Sequence, residues 1–208
     1  MCQKKSAMRA LVPEIRLFGS RIGSLRSIFP HLALLLAFGF MIPKVKGLDF
    51  LDSQVLGAYA CLAIIFAPPA TVQAFLAGSQ ASFQQAKVRI LVSVVYGEIV
   101  SITLLLAGVA TVYLIHRGSF VPEPDWVTIA RCAMFGLGAS AMLSSLAALV
   151  AVRFSGRAAM ICLRVAFFGL LILYFYRGQW LADVGLTGAT ACLAITGLFI
   201  VLLKRACR

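Results

Sequence analysis

Along the whole chain, apolar runs of helix length are separated by short polar or basic stretches, and no segment shows the ten-residue alternation of a barrel strand. A run of about twenty apolar residues that satisfies its own backbone groups reads as a transmembrane helix. The pattern predicts an all-α, polytopic helical membrane protein with six spans, near residues 28–42, 53–77, 88–115, 126–152, 158–176 and 186–203. Ahead of them, Leu11, Ile15, Phe18, Ile22, Leu25 and Phe29 recur every three or four residues over 7–29, with Arg9, Arg16, Ser20 and Ser27 on the opposite side. That spacing predicts a basic amphipathic helix lying in the membrane interface, its arginines toward anionic headgroups. The expected organisation is an N-terminal cytoplasmic segment, 1–27, carrying the interfacial helix, followed by a six-helix transmembrane domain, 28–208.

Two of the spans have local peculiarities. The first is short for a hydrocarbon core and must tilt, thin the bilayer or borrow residues from the interfacial helix. The second contains Pro68 and Pro69, which remove two backbone donors and predict a kink or break inside the membrane. Such a break either lines a substrate path or serves packing alone. In the fourth span, Gly136, Gly138, Ala139, Ser140, Ser144 and Ser145 form a small-residue face that predicts close approach of another span or another subunit.

Between the second and third spans the chain turns polar at 78–98, with Gln80, Phe83, Gln84, Gln85, Lys87 and Arg89 ahead of Glu98. This elbow is either a plain cytoplasmic loop or the contact for a soluble partner, with Phe83 as an aromatic knob.

Composition places the chain firmly in lipid: 62% of residues are hydrophobic against about 45–50% in soluble domains. The net charge of +12 does not point to nucleic acid, because the basic residues cluster between apolar runs and at the termini. With six spans, fourteen Lys and Arg fall on the side holding both termini and the elbow, and five on the other. The positive-inside rule then puts both termini in the cytoplasm of a cell (inner) membrane, multi-pass. The basic start lacks a cleavage site, so no removable signal peptide is expected. Cys2, Cys61, Cys132, Cys162, Cys192 and Cys207 lack the close spacing of a zinc or redox site, and those inside apolar runs read as small buried hydrophobes.

No catalytic constellation emerges, and the expectation is that the chain is not an enzyme. His31 and His116 fall at opposite membrane boundaries, and the segment from Gly136 to Ser140 has no histidine in a later span to activate its serine. No two acids share a span to hold a metal, and the glycine-rich phosphate loop is missing, so any ATP must be bound by a partner subunit. The chemically distinctive residue is Glu98, about ten residues into the third span. A charged carboxylate at mid-depth costs about 2.5–3.5 kcal/mol on insertion scales, which favours protonation, a water-lined cavity or a basic partner. Arg164 in the fifth span is the candidate partner by depth; the alternative is that it snorkels to the surface while hydroxyls satisfy Glu98.

This layout resembles the membrane subunit of type-2 ABC exporters. The likeness is carried by SQASFQQAKVRILVS at the elbow, where that family has its coupling helix, and by GLGASAMLSSLAALVAVRFSGRAAM, similar to its small-residue fourth span and basic turn. The resemblance implies a permease subunit that forms the substrate path in lipid, pairs with a second permease in a homo- or heterodimer, and couples to a separate ABC ATPase. The coupling contact would comprise Gln80, Phe83, Gln84, Lys87 and Arg89. A membrane scaffold or assembly factor without transport is the alternative.

Overall fold

The computed structural model describes residues 53–77, 82–115, 125–176 and 180–207. The interfacial helix, the first span, both histidines and Gln80 lie outside the described residues. Within them every regular element is a helix: α1 (Ser53–Ala60), α2 (Ala63–Ala77), α3 (Phe83–Ile115), α4 (Trp126–Arg153), α5 (Gly156–Tyr176) and α6 (Trp180–Ala206). Four segments are long and apolar enough to cross a membrane: Val55–Leu76, Phe83–Ala110, Trp126–Arg153 and Val184–Ala206. They correspond to the second, third, fourth and sixth predicted spans, while the fifth is helical as α5. The result is a helical, membrane-embedded protein.

Helix α4 is the central post, touching α1, α2, α3, α5 and α6. Its small residues explain this position. A Cβ on Gly136 would come within 2.9 Å of Cys61 Cα, and one on Gly138 within 2.9 Å of the Ala189 carbonyl oxygen, so α2's entry and α6 approach backbone to backbone. Ser140, Ser144 and Ser145 are fully buried on the same helix. In lipid, where tails are as apolar as leucine, this close packing supplies what water exclusion cannot.

Two clusters continue the packing along the bundle. Ala67, Ile90, Val94, Ala148 and Leu203 join α2, α3, α4 and α6, and Val72, Leu143, Ala147, Ala159 and Leu163 tie in α5.

The polar elbow differs from expectation in where its helix begins. The third span was expected from about residue 88, yet α3 starts at Phe83. Ser82 supplies the reason: its backbone N–H donates to Gln85 Oε1 at 3.0 Å, and the Gln85 N–H donates to Ser82 Oγ at 3.4 Å. This reciprocal capping box satisfies orphan donors at the helix start and draws Phe83, Gln84, Gln85 and Lys87 into the first turns of a continuous helix.

Candidate functional site at a broken membrane helix

The predicted second span is broken at Cys61 and Leu62, between α1 and α2. Around the break the ladder shortens to three-residue steps: Leu62 N–H donates to Tyr59 O at 3.2 Å, Ile64 N–H to Cys61 O at 3.1 Å and Ile65 N–H to Leu62 O at 2.8 Å. Pro68 and Pro69 themselves sit inside α2. A proline ring crowds the carbonyl four residues earlier, here Ile64 and Ile65, so the distortion falls upstream of the prolines and not at them.

A neighbouring helix closes the gap. Ser101 of α3, fully buried, donates from Oγ to Tyr59 O at 2.8 Å and Ala60 O at 3.1 Å. One turn away, a Cβ on Gly97 would lie 2.9 Å from Ala67 Cβ and 3.2 Å from Ala63 O, so α3 crosses α2 as closely as a glycine permits. Irregular backbone at membrane depth requires such partners, because lipid offers none.

Cys61 and Cys132 meet here. Cys61 Sγ donates to the Cys132 carbonyl at 2.9 Å, and the two thiols are within hydrogen-bond reach of each other. Separated by 71 positions, they are invisible as a pair in sequence. Cys162, read from sequence as a small buried hydrophobe, is exposed on α5, and Cys192 and Cys207 are half-buried.

Glu98 lies on α3 between Gly97 and Ser101, close enough for its charge to act on Cys61. Its Oε1 is buried without a hydrogen-bond partner. The predicted partner is not joined to it: Arg164 is exposed on α5. Packing explains the separation. Cys61, beside Glu98, lies against Gly136, whereas Leu163, next to Arg164, packs with Leu143. Those α4 positions are seven residues apart, roughly 10 Å along the axis, so the two charges sit at different heights.

At the Phe83 end of α3, Gln84 and Gln85 are exposed and Phe83 and Lys87 half-exposed. The Lys87 ammonium lies 4.8 Å from the centre of the Phe83 ring, a contact worth about 0.5–1 kcal/mol at an exposed site. Arg89 is set apart from this face: it is 5% exposed, with its guanidinium 5.5 Å from the centre of the Phe75 ring, locking α3 to α2.

At the opposite end of the bundle, Asp125 caps α4, accepting from the Val127 and Thr128 backbone N–H groups and from the Thr128 hydroxyl. The Thr128 hydroxyl, followed by these N–H groups, holds its carboxyl below the usual carboxylate range.

The class these features define is a helical, membrane-embedded protein with a discontinuous helix near a carboxylate set in an apolar helix. No protein-family model matches the chain, and no curated protein or solved structure is significantly similar to it.

Proposed function

We propose that this chain is the membrane-spanning permease subunit of an ATP-driven ABC exporter, with both termini and the Phe83 end of α3 in the cytoplasm. The observation that carries the reading is the continuity of α3. One helix of 33 residues, about 50 Å long, runs from a half-exposed aromatic flanked by exposed amides past Glu98 and the break sealed by Ser101. Force applied by a soluble ATPase at Phe83, Gln84 and Lys87 is transmitted along this rod to the one place where the neighbouring span lacks a regular ladder. Displacing α3 strips the Ala60 carbonyl of its hydroxyl donor, so rod movement and rearrangement of the break are energetically coupled.

The test is copurification with the ATPase partner from solubilised membranes, followed by ATPase turnover in lipid. Phe83→Ala combined with Gln84→Ala is expected to leave expression and helix content intact. Truncation of an aromatic anchor costs about 2 kcal/mol or more at an interface, so partner binding falls by more than about tenfold. Unchanged binding and turnover in the double variant reject the coupling surface, and a partner that copurifies without any substrate-stimulated turnover supports a scaffold instead.

A further inference from the structure

We infer that Glu98 is the recognition point for an amphiphilic organic cation that reaches it laterally from the lipid. The inference deepens the transport reading and rests on it for what becomes of the bound molecule; the binding itself stands on the local geometry.

Helical periodicity puts Glu98 on a border. Its neighbours one turn away divide into two sets: Val94 and Ser101 are buried in the bundle, while Val95 and Ile102 are 49% and 50% exposed. Ile99, adjacent in sequence, is 60% exposed. The carboxylate therefore stands where the packed interior meets an open apolar strip of Val95, Ile99 and Ile102. Its Oε1 is screened from the surroundings and has no donor.

Among the described residues no cation is joined to the buried Glu98 oxygen, and Arg153, Arg157, Lys204 and Arg205 are exposed at helix ends. Arg89 is held over Phe75, Arg131 lies against Gly185, and Lys87 lies over Phe83 at the helix start. Arg164 is exposed on α5 at another height. From the packed elements the Cys61 thiol is near enough to feel the charge of Glu98, and it donates to the Cys132 carbonyl; Ser101, one turn along α3, donates to the Tyr59 and Ala60 carbonyls. Among the described residues the site lacks positive charge, and its open side is the apolar strip of Val95, Ile99 and Ile102.

A ligand that supplies both complements it: a delocalised or quaternary cation facing Glu98, with its apolar body along Val95, Ile99 and Ile102. A small hydrated metal ion is a poorer match, because the serine and the carbonyls at the break already bond one another and no group of three or more metal-ligating side chains occurs among the described residues. In a low-dielectric setting a carboxylate attracts a weakly hydrated cation strongly, since little hydration is lost on entry.

The experiment measures tetraphenylphosphonium binding by equilibrium dialysis to the full chain purified into phospholipid nanodiscs, without any ATPase. The wild-type chain is expected to bind saturably, with no competition from neutral triphenylphosphine oxide. Glu98→Gln, nearly the same in shape, should weaken binding by about tenfold or more while circular dichroism and gel filtration stay unchanged. Ile102→Ser should weaken it through loss of the apolar wall, and Arg164→Gln should leave it alone. Absence of saturable binding, equal binding by Glu98→Gln, or equal competition by the neutral compound overturns the inference. So does loss of binding in Arg164→Gln together with a change in oligomeric state, because Glu98 is then answered by Arg164 of a second copy. Since no ATPase is present, intact cation binding with failed coupling at Phe83 rejects the ATP-driven reading alone, and the reverse result rejects the cation site alone.

Discussion

Replacing Gly138 by alanine tests the physical account of the bundle most directly. The added Cβ would sit 2.9 Å from the Ala189 carbonyl oxygen and 3.0 Å from Ala189 Cα, against an ordinary contact of 3.4 Å or more. The obstacles are backbone atoms, so no rotamer change relieves them, and α4 and α6 must part by about half an ångström. A gap of that size forfeits roughly a quarter to a half of the dispersion well of each contact it opens. Summed over the contact, with Phe135 and Gly188 beside it, the expected cost is about 1–3 kcal/mol, the usual range for overpacking. Gly197 on α6 is the internal control, because a Cβ there meets nothing within 4 Å. Gly197→Ala should be neutral or slightly stabilising, by up to about 1 kcal/mol from helix propensity. The assay is reversible unfolding in mixed micelles followed by circular dichroism. A further arm sharpens it: Ala189→Gly should not rescue Gly138→Ala, since the clash is with the backbone of residue 189 and not its methyl group. Equal stability of Gly138→Ala and Gly197→Ala, or full rescue by Ala189→Gly, refutes the backbone-contact argument.

Two other perturbations probe the ends of the same framework. Ser101→Ala removes the hydroxyl shared by the Tyr59 and Ala60 carbonyls, and an unsatisfied buried acceptor costs about 1–3 kcal/mol, measurable as a lower unfolding midpoint in the same micelles. Asp125→Ala should speed amide exchange at Val127 and Thr128, and the difference from wild type should depend on pH. Because the folded state depresses the Asp125 carboxyl, its stabilisation is fully present above the ordinary aspartate range and is lost as pH falls through the depressed value. Wild type and variant therefore converge only in strong acid; a difference that persists there, or that grows on acidification, would contradict the cap.

Much of the helical framework is legible from local pattern. The fourth span was placed at 126–152 and α4 runs Trp126–Arg153, because an N-cap aspartate, an interfacial tryptophan and a terminal arginine all mark its ends. The small-residue face of α4 was equally readable, since glycine and serine at helical spacing have few other uses in lipid. What local pattern does not contain is the geometry between helices. Cys61 meets Cys132, Ser101 meets Tyr59 and Ala60, and Arg89 meets Phe75 only because α3 and α4 fold back across the break. The proposed match of Glu98 with Arg164 used depth counted from the helix ends, and that count was off for α3, whose capping box starts the helix five residues before the apolar run. The Ser82 and Gln85 spacing was itself a readable signal, masked by the polar composition around it.

On the proposed reading the break and the carboxylate work together, and the hydrogen bonds at the break supply the physical reason. A continuous α1–α2 helix would need Ile64 N–H to reach the Ala60 carbonyl, but that N–H is taken by Cys61 O, while the Ala60 carbonyl accepts from Ser101. A carbonyl can accept two hydrogen bonds, as the Tyr59 oxygen does from Leu62 N–H and Ser101 Oγ, so regularising the helix means moving Ile64 N–H from Cys61 O to Ala60 O beside Ser101, which sits one turn from Glu98 on α3. Each of these hydrogen bonds contributes a net of about 0.5–1.5 kcal/mol, so exchanging one for another is close to balanced. Under the proposed function, the two arrangements differ by a free energy small enough for an ATPase at the Phe83 end or a cation at Glu98 to supply. In that proposal both perturbations act on the same rod, and the rod's position biases the balance between the broken and the regular span.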